Sequence, residues 1–341
     1  MGVNLSGRHF LSVLDFSAEE ISAVLKTARE LKAERAADFS PRGRLTPATQ
    51  NTTRSPISGE SPRGLEARGS LPMSGKTLAM IFQKPSARTR ISFEAGMFQL
   101  GGHALYLSPA DIGLGTRESI PDVARVVSRF CSGIMARVFG HDIVEQLAEY
   151  ADVPVINGLS DLLHPCQIVG DMLTVLEHKG RLQDFTLAYI GDGNNVANSW
   201  VNMASRFSFE LRLGVPQGYE PDKNILGKAR QAGLSDIAIF SDPAEAVKDA
   251  DVVYTDVWAS MGQESEAGER ERVFAAFQLN AGLLQRAKPD HIVMHCLPAH
   301  RGHEITDEVM DGPHSVVFDE AENRMHAQKA ILAKIMKKVE F

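Results

Sequence analysis

The chain has 341 residues, of which 43% are hydrophobic and 23% are charged, and its formal net charge is −7. This length allows two domains with separate cores, and the negative charge argues against a nucleic-acid-binding protein. Its three cysteines make no disulfide framework, and no apolar run reaches the ~20 residues of a membrane span. We therefore predict a cytoplasmic protein with no membrane and no nucleic-acid partner.

The first predicted element is an amphipathic helix that begins near Ser17. Ser17 and Glu20 fit a capping box, and apolar residues follow at helical spacing until the pattern ends after Ala37. Residues 38–72 are rich in Pro, Gly, Ser and Thr and carry almost no large apolar side chain. Such a segment cannot bury enough surface to become ordered, so we predict a disordered insertion, with a docking segment as the alternative.

Strands and helices alternate beyond this insertion. The predicted strands are Leu78–Phe82, Ala104–Leu107, Ile134–Val138 and Val153–Ile156, and the predicted helices are Ser86–Leu100, Pro121–Phe130 and Asp142–Tyr150. Alternation of this kind is typical of a parallel sheet with helices on both faces.

A second alternating series follows a predicted helix at Pro165–Lys179. Its predicted strands are Leu187–Ile190, Leu211–Val215, Ile237–Ile239, Val252–Tyr254, Ile292–Met294 and Val316–Phe318, and the last helix is predicted to begin near Asp319. The fold class is therefore α/β, with two open parallel-sheet domains and helices on both faces of each sheet. We expect the active site in the crevice between the domains, at the carboxyl ends of the strands.

The segment "FQKPSARTR" places cations at the start of a predicted helix. Ser86 is the expected N-cap, Arg88 and Arg90 fall in the first turn, and Lys84 lies just upstream. Positive side chains are unfavourable at this end of a helix unless an anion is bound there. Ser86, Arg88 and Thr89 therefore predict a phosphate site, and we prefer Arg88 to Arg90 as the phosphate ligand.

The segment "LLHPCQIVGDML" places two polar side chains at another helix start. His164 precedes Pro165, and Gln167 falls in the first turn. An imidazole N–H can polarise a carbonyl group and a carboxamide can recognise an amide N–H₂. The alternative for His164 is a capping or packing role. Arg137, at the end of a predicted strand, is a third donor to the same crevice.

The segment "LAYIGDGNNVANSW" has two glycines after a strand, Gly191 and Gly193, but lacks the third glycine of a dinucleotide fingerprint. No acidic residue stands at the end of a matching second strand, which argues against nucleotide binding. The side chains of Asn194 and Asn195 at the helix start are instead suited to hold a carboxylate.

Further polar residues follow the later strands. Asp256 is placed to bind an ammonium group, and Ser260 and Met261 begin an expected mobile loop that closes over a ligand. Arg324 falls in the first turn of the last predicted helix, so the same argument about a cation at a helix start predicts an anion or developing negative charge nearby.

The segment "MHCLPAHRGHE" places His295 and Cys296 at the end of another strand. With His300 and His303 nearby, a zinc site is the alternative, but the spacings match no common zinc motif. We therefore predict no metal and a thiol that faces the substrate.

Six motifs together, "KPSARTR", "HPCQ", "GDGNNVANS", "DVWASMGQE", "HCLPAHRG" and "AENRMH", resemble those of the ornithine carbamoyltransferase family. The resemblance covers the chain except residues 38–72. It implies a carbamoyl-phosphate-binding domain at residues 1–160, an ornithine-binding domain at 161–318, and a C-terminal helix at 319–341 that packs back towards the first domain. It also implies homotrimers with sites at subunit interfaces, and no cofactor.

The resemblance assigns roles residue by residue. It implies that carbamoyl phosphate is bound by Ser86, Ala87, Arg88, Thr89, Gly113, Arg137, His164, Gln167, Cys296, Leu297 and Arg324, and L-ornithine by Asn195, Asp256, Ser260 and Met261. The implied catalytic residues are Arg137, His164, Asp256, Cys296 and Arg324.

Two positions depart from the family pattern. Ala87 replaces a usual threonine, which matters little where only the backbone N–H is used. Gly113 stands where the family has a glutamine that reaches carbamoyl phosphate across the trimer interface, so that contact is in doubt here.

The resemblance implies that the neutral δ-amine of ornithine attacks the carbamoyl carbon, which gives citrulline and phosphate. Two alternatives remain: a transcarbamylase for another amine acceptor, and a catalytically silent binding paralogue. The loop "DVWASMGQE" argues against the first and the intact polar set against the second.

Overall fold

The computed structural model describes residues 3–39, 71–259 and 266–336. In these ranges the chain forms two separate β-sheets in which every strand pair is parallel. No helix within them is long and apolar enough to cross a membrane. Residues 40–70, which make up most of the predicted disordered insertion, lie outside the described residues.

The first sheet has four strands in the order β2-β1-β3-β4. The elements of this half are α1 (Ala18–Phe39), β1 (Thr77–Phe82), α2 (Ala87–Gln99), β2 (His103–Leu107), α3 (Pro109–Ile112), α4 (Ile120–Phe130), β3 (Gly133–Arg137), α5 (His141–Tyr150), β4 (Val155–Leu159) and α6 (Pro165–Lys179), with a short 3₁₀ helix at Val13–Asp15. The predicted capping box opens α1: the Ser17 N–H donates to the Glu20 carboxylate at 2.8 Å, and the Glu20 N–H donates to the Ser17 hydroxyl at 3.2 Å.

The second sheet has five strands in the order β7-β6-β5-β8-β9. The elements of this half are β5 (Thr186–Ile190), α7 (Asn195–Ala204), β6 (Glu210–Gly214), α8 (Lys223–Ala232), β7 (Ile237–Phe240), α9 (Pro243–Val247), β8 (Val252–Thr255), α10 (Ala267–Phe274), α11 (Ala281–Leu284), β9 (Ile292–His295), α12 (Asp307–Met310) and α13 (Val317–Ile335), with a 3₁₀ helix at Ala275–Phe277.

Each sheet has a point where the strand order reverses. In the first sheet, β1 lies between β2 and β3, and in the second, β5 lies between β6 and β8. Loops on either side of such a point leave the sheet in opposite directions and open a crevice at the carboxyl ends of the strands. The loops after β1, β3, β5 and β8 are therefore the ones placed to build a site.

One predicted strand is wrong. Val316–Phe318 is not a strand: only Ser315 forms an isolated bridge, to Val293, and α13 begins at Val317. Three apolar residues fit the first turn of a helix as well as a strand. In the structure, Val317 is buried and Phe318 is 63% exposed. The other strand boundaries agree within one residue, except that the strand predicted at Val153–Ile156 lies at Val155–Leu159. The first helix ends at Phe39, two residues beyond the predicted end, and the last helix begins two residues before the predicted Asp319.

Helices α6 and α13 join the two halves. They pack against each other, and α13 also packs against α1 and α2. Their buried side chains belong to one apolar cluster that includes Met80 of β1 and Leu187 of β5. At Gly170 a Cβ atom would lie 2.8 Å from the Cα of Arg324, so only glycine lets the two helices approach this closely.

Candidate active site

Site residues predicted from sequence follow strands of both sheets. Ser86 comes after β1 and Arg137 ends β3, whereas Asp256 follows β8 and Cys296 follows β9. The two groups meet, because Cys296 interacts electrostatically with both Arg137 and Arg324. The crevice between the two halves is therefore one continuous polar site.

Three arginine side chains converge at the start of α2. Ser86 caps this helix: its hydroxyl accepts from the Thr89 N–H at 3.5 Å and donates to Thr89 Oγ1 at 3.1 Å. Arg137 Nη1 donates to the same oxygen at 3.4 Å. Burial, followed by the charges of Arg324 and Arg88, lowers the pKa of Arg137 to about 10. Guanidinium groups that repel one another in a buried place are stabilised by a bound anion.

Arg324 is placed differently from our prediction. Because α13 begins at Val317, this arginine lies about two turns inside the helix, and the interpretation as a first-turn cation is wrong. Its Nη1 donates to Gln167 Oε1 at 3.2 Å, and its buried Nε has no acceptor among the described residues. A buried N–H without an acceptor is a donor that a bound substrate can use.

His164 is buried at the start of α6 and is held neutral. It precedes Pro165, and its backbone N–H donates to Ser199 Oγ at 2.8 Å. Burial, followed by the charges of Arg324 and Arg137, keeps the pKa of His164 well below its ordinary value of 6.5. Its Nδ1 has no partner in the described part of the chain, so the imidazole retains a free polar atom.

His164→Asn is expected to make folding less sensitive to acid. The folded chain keeps the imidazole neutral while the unfolded chain protonates it, so acid favours unfolding by about 1.4 kcal/mol per pH unit below about 6.5, until the folded pKa is reached. Urea denaturation at about pH 7.5 and about pH 5 measures this effect. The unfolding free energy should fall less for the variant than for the wild type, and an equal fall would contradict the neutral imidazole.

The Gln167 amide is fixed in orientation by its neighbours. Its Nε2 donates to Asp171 Oδ1 at 2.8 Å and to Glu320 Oε1 at 3.1 Å, while its Oε1 accepts from Arg324. Both N–H bonds are used, so the carbonyl oxygen is the atom of Gln167 that can accept from a further donor.

Asp256 and Cys296 form a hydrogen-bonded pair at the ends of β8 and β9. Cys296 Sγ donates to Asp256 Oδ1 at 2.9 Å, and Asn194 Nδ2 donates to Asp256 Oδ2 at 2.8 Å. Burial, followed by the charge of Asp256, raises the pKa of the Cys296 thiol well above its ordinary value. The sulfur is therefore a neutral thiol and a weak nucleophile.

Cys296→Ser is expected to reduce activity by about two- to tenfold without abolishing it, because a hydroxyl still donates to Asp256 and one neutral hydrogen bond is worth roughly 0.5–1.5 kcal/mol. Steady-state kinetics of the variant measures the loss. Isolation of a carbamoyl thioester on the wild-type Cys296 would contradict the role of the thiol as a positioning donor.

The Cys296 loop is held from the buried side by His295. The Leu297 N–H donates to His295 Nδ1 at 2.9 Å, so the ring proton lies on Nε2, which faces Glu304 Oε1 at 3.1 Å. Leu297 itself has φ +57°, a conformation that few non-glycine residues adopt. Donor atoms of Asp256, His295 and Cys296 lie within 4.8 Å of one another, but both His295 nitrogens are already engaged, so the trio fits a hydrogen-bonded network better than a metal site.

The predicted ornithine-binding residues fall in different surroundings. Asn194 contacts Asp256, whereas Asn195 donates from Nδ2 to the carbonyl of Ser160 at 2.7 Å and links the two halves. Ser260 and Met261 lie outside the described residues. Beyond them, Arg270 of α10 forms a buried ion pair with Asp192 at 3.1 Å and donates to the Trp258 carbonyl at 2.8 Å.

Comparison with known proteins gives consistent results over the whole chain. The carbamoyl-P binding domain of aspartate/ornithine carbamoyltransferase matches residues 8–177, and the Asp/Orn binding domain matches residues 183–335. The ornithine carbamoyltransferase of Thermococcus kodakarensis is 51% identical over 98% of each chain, and the anabolic ornithine carbamoyltransferase of Pyrococcus furiosus is 49% identical over 100% of each. The chain belongs to the aspartate/ornithine carbamoyltransferase family.

Solved structures of this family have the same fold. The ornithine carbamoyltransferase of Pyrococcus furiosus superimposes with a TM-score of 0.87 at 47% identity, covering 99% of this chain and 100% of that one. That of Thermus thermophilus gives 0.79 at 40% identity, covering 96% and 98%. The predicted carbamoyltransferase family and the predicted α/β fold class are therefore confirmed.

Sequence reasoning missed several residues that this member of the aspartate/ornithine carbamoyltransferase family places around the site. They are Asp171, Asp192, Arg270, Glu304 and Glu320. One signal was available: Asp171 lies four residues after Gln167, and Glu320 lies four residues before Arg324, so each pair shares a helix face. The contact between the two pairs depends on the packing of α6 on α13, which local sequence does not encode.

Gly113, where the chain departs from the family pattern, ends α3 in a left-handed conformation. It has φ +53°, and an added Cβ would lie 2.7 Å from the Cβ of Arg117. Its N–H donates to the Pro109 carbonyl, and its own carbonyl accepts from the N–H groups of Thr116 and Arg117. Glycine therefore serves the turn itself, and its contact with carbamoyl phosphate stays a prediction.

Gly113→Gln is expected to lower stability by about 1 kcal/mol or more, because a side chain is strained in this conformation and must displace Arg117. Thermal denaturation measures the loss. A variant with unchanged stability and a lower KM for carbamoyl phosphate would instead show that the turn tolerates the glutamine and that its side chain reaches the substrate.

Proposed function

We propose that this member of the aspartate/ornithine carbamoyltransferase family transfers the carbamoyl group of carbamoyl phosphate to the δ-amine of L-ornithine, which gives L-citrulline and phosphate. One observation carries the proposal: the cluster of Arg88, Arg137 and Arg324 lies in the same crevice as the Asp256–Cys296 pair. An anion and an amino acid can therefore be held side by side.

The start of α2 suits the phosphate group. Ser86, the backbone of Ala87, Arg88 and Thr89 supply a hydroxyl pair, free N–H groups and a guanidinium at one helix terminus. Backbone donors give such a site its shape, and a guanidinium gives it a bidentate contact with a dianion. Arg137 lies beside them through Thr89 and extends the donor set from the phosphate towards the carbamoyl oxygen.

The carbamoyl group would lie between His164, Gln167 and the buried arginines. Arg137 and Arg324 donate to the carbamoyl oxygen, where negative charge develops in the transition state. The neutral His164 presents a ring nitrogen without adding a further positive charge. The Gln167 carbonyl oxygen is oriented to accept from the carbamoyl N–H₂. Leu297 and Cys296 close the site from the β9 side.

Ornithine would approach from the second sheet. Asp256 pairs with the α-ammonium group, Cys296 positions that carboxylate, and Asn195, Ser260 and Met261 complete the amino-acid subsite. A free amine near the ordinary lysine pKa of roughly 10.4 is mostly protonated at neutral pH, so the site must bind or generate the neutral δ-amine. Its nitrogen attacks the carbamoyl carbon, the carbon–oxygen bond to phosphate breaks, and the departing phosphate takes the amine proton.

The proposal includes a homotrimer whose sites lie at subunit interfaces. Ile91 and Phe98 of α2 are 64% and 80% exposed, and Leu105 on the edge strand β2 is 41% exposed. Exposed apolar side chains along α2 and on an edge strand are suited to contact with a second copy. We also retain the domain division at residues 160 and 318, and a cytoplasmic location, which fits the free state of Cys131, Cys166 and Cys296.

A panel of amine acceptors tests the proposal. With carbamoyl phosphate, L-ornithine should give citrulline with a kcat/KM at least about a hundredfold above that for aspartate, putrescine or N-acetylornithine, because a buried carboxylate discriminates strongly against acceptors that leave it unpaired. Faster carbamoylation of another amine would replace the substrate assignment. No turnover with any acceptor, together with retained ligand binding, would support a silent paralogue.

A further inference from the structure

Two carboxyl groups outside the proposed substrate-binding set lie buried behind it. Asp171 of α6 and Glu320 of α13 are both 0% exposed. They lie side by side, because both accept from the same Gln167 nitrogen, and the charge of Asp171 raises the pKa of Glu320. A hydrogen bond between two carboxyl groups requires that one of them carries a proton.

The donors around the pair indicate which group is protonated. Glu320 accepts from three donors: the Tyr254 hydroxyl at 3.2 Å, Gln167 Nε2 at 3.1 Å and the His295 N–H at 2.8 Å. Asp171 accepts from Gln167 through Oδ1 and also lies beside the Tyr254 hydroxyl, but its Oδ2 has no partner within the described residues. An ionised carboxylate suits three donors, and an oxygen with none suits a hydroxyl, so the proton belongs on Asp171 Oδ2.

We propose that Asp171 and Glu320 are a proton-sharing pair of positioning residues, in which protonated Asp171 donates to ionised Glu320 and together they orient Gln167 and Arg324 towards the carbamoyl group. The roles of Gln167 and Arg324 rest on the proposed function, whereas the shared proton rests on the donor pattern alone. Burial raises the pKa of both carboxyl groups, in agreement with one proton retained by the pair.

The pair controls Gln167 through its amide orientation. The oxygens of Asp171 and Glu320 accept hydrogen bonds, so the N–H₂ end of the Gln167 amide must face them. The carbonyl end therefore points to Arg324 and the site. Without these acceptors the amide can turn over, which would aim N–H bonds at Arg324 and at the carbamoyl N–H₂.

The pair also matches the buried charge. One shared proton leaves a single negative charge beside the Arg324 guanidinium, which is itself 5% exposed. Two ionised carboxylates would repel each other and would neutralise more of the positive potential that the phosphate requires, while two neutral acids would leave Arg324 without a counter-charge. The singly charged pair is the state that serves an anion site.

Asp171→Asn, Asp171→Ala and Glu320→Gln test the arrangement in the full chain. Asparagine reproduces a protonated Asp171, because it accepts through its oxygen and donates through its nitrogen, so D171N should lose less than about threefold in kcat/KM for carbamoyl phosphate. D171A removes the acceptor for Gln167, and E320Q puts an N–H₂ among three donors. Both should lose about ten- to a hundredfold, as expected for unsatisfied buried polar groups.

Asp251→Asn is the matched control. Asp251 is also buried and accepts from Arg181, Lys288 and the Thr186 N–H, each at 2.9 Å, but it precedes β8 at the opposite end of the sheet from the site. D251N should lower the thermal midpoint and leave both KM values within about twofold. A purely structural role for Asp171 and Glu320 predicts the same behaviour for D171A and E320Q, and that result would overturn the proposal. Losses in D171N equal to those in D171A would also overturn it.

Infrared spectroscopy measures the proton directly and does not depend on folding of E320Q or on activity. The wild-type chain at about pH 6, where ordinary carboxyl groups are ionised, should show the carbonyl stretching band of a protonated carboxylic acid, shifted in D₂O and absent from D171N. A band that persists in D171N would overturn the assignment to Asp171. If the wild type makes no citrulline, the proposed function fails, and the infrared result still decides whether the carboxyl pair shares a proton.

Discussion

Arg88→Lys should lower kcat/KM for carbamoyl phosphate by about a hundredfold or more, with little change in the thermal midpoint. Lysine keeps the positive charge but loses the planar fork that makes two parallel hydrogen bonds to a phosphate. Removal of one preorganised donor from a site of developing charge costs about 10²–10³ in rate. Steady-state kinetics with carbamoyl phosphate as the varied substrate measures the loss.

Arg90 provides the control in the same helical turn. Its Nε donates to Glu94 at 2.9 Å, its guanidinium lies 4.2 Å from the Tyr106 ring centroid, and its side chain is half exposed. Arg90→Lys should change kcat/KM by less than about twofold, as expected for an exposed pair. Similar losses in both variants would mean that the helix start depends on positive charge in general, and the phosphate assignment to Arg88 would be wrong.

Asp256→Asn should weaken ornithine far more than carbamoyl phosphate. The carboxylate is buried and accepts from Cys296 Sγ, Asn194 Nδ2 and the Val257 N–H, so an amide both removes the charge that pairs with an ammonium and brings an N–H₂ towards existing donors. Loss of one partner of a buried ion pair costs about 3–5 kcal/mol. The KM for ornithine should therefore rise by about a hundredfold or more.

The two substrates form the internal control for this variant. Binding of carbamoyl phosphate, measured by calorimetry without ornithine, should stay within about threefold of the wild type, because the phosphate donors are on α2 and β3. Equal weakening of both ligands would place Asp256 in a general structural role. Unchanged ornithine kinetics would remove it from the amino-acid subsite.

Strand ends were the most predictable part of the site. A polar residue after a buried apolar run is visible in sequence at Arg137, Asp256 and Cys296, and the carboxyl ends of parallel strands share one edge. The capping residue Ser86 could be predicted for the same local reason, because its partner Thr89 is three residues away.

The parts that sequence did not predict depend on packing between distant elements. The helix start at Val317 could not be predicted from the three apolar residues 316–318, because they fit a strand equally well and their burial is not visible in the sequence. Gly113 forms a left-handed turn and Gly170 lies where two helices approach closely. Neither glycine can be distinguished from the others in the sequence. The link from Gln167 to Glu320 spans 153 residues, beyond the reach of any local pattern.

The two proposed subsites lie on different elements of the fold, which bears on how each substrate binds. The proposed phosphate donors Ser86, Arg88 and Thr89 lie at the start of α2, and Arg137 ends β3. The proposed ornithine ligand Asp256 and its partner Cys296 follow β8 and β9 instead. An anion bound at the phosphate donors would remove the repulsion among the guanidinium groups of Arg88, Arg137 and Arg324. Under the proposed function, carbamoyl phosphate is therefore expected to bind in the absence of ornithine, because its charge relieves that repulsion.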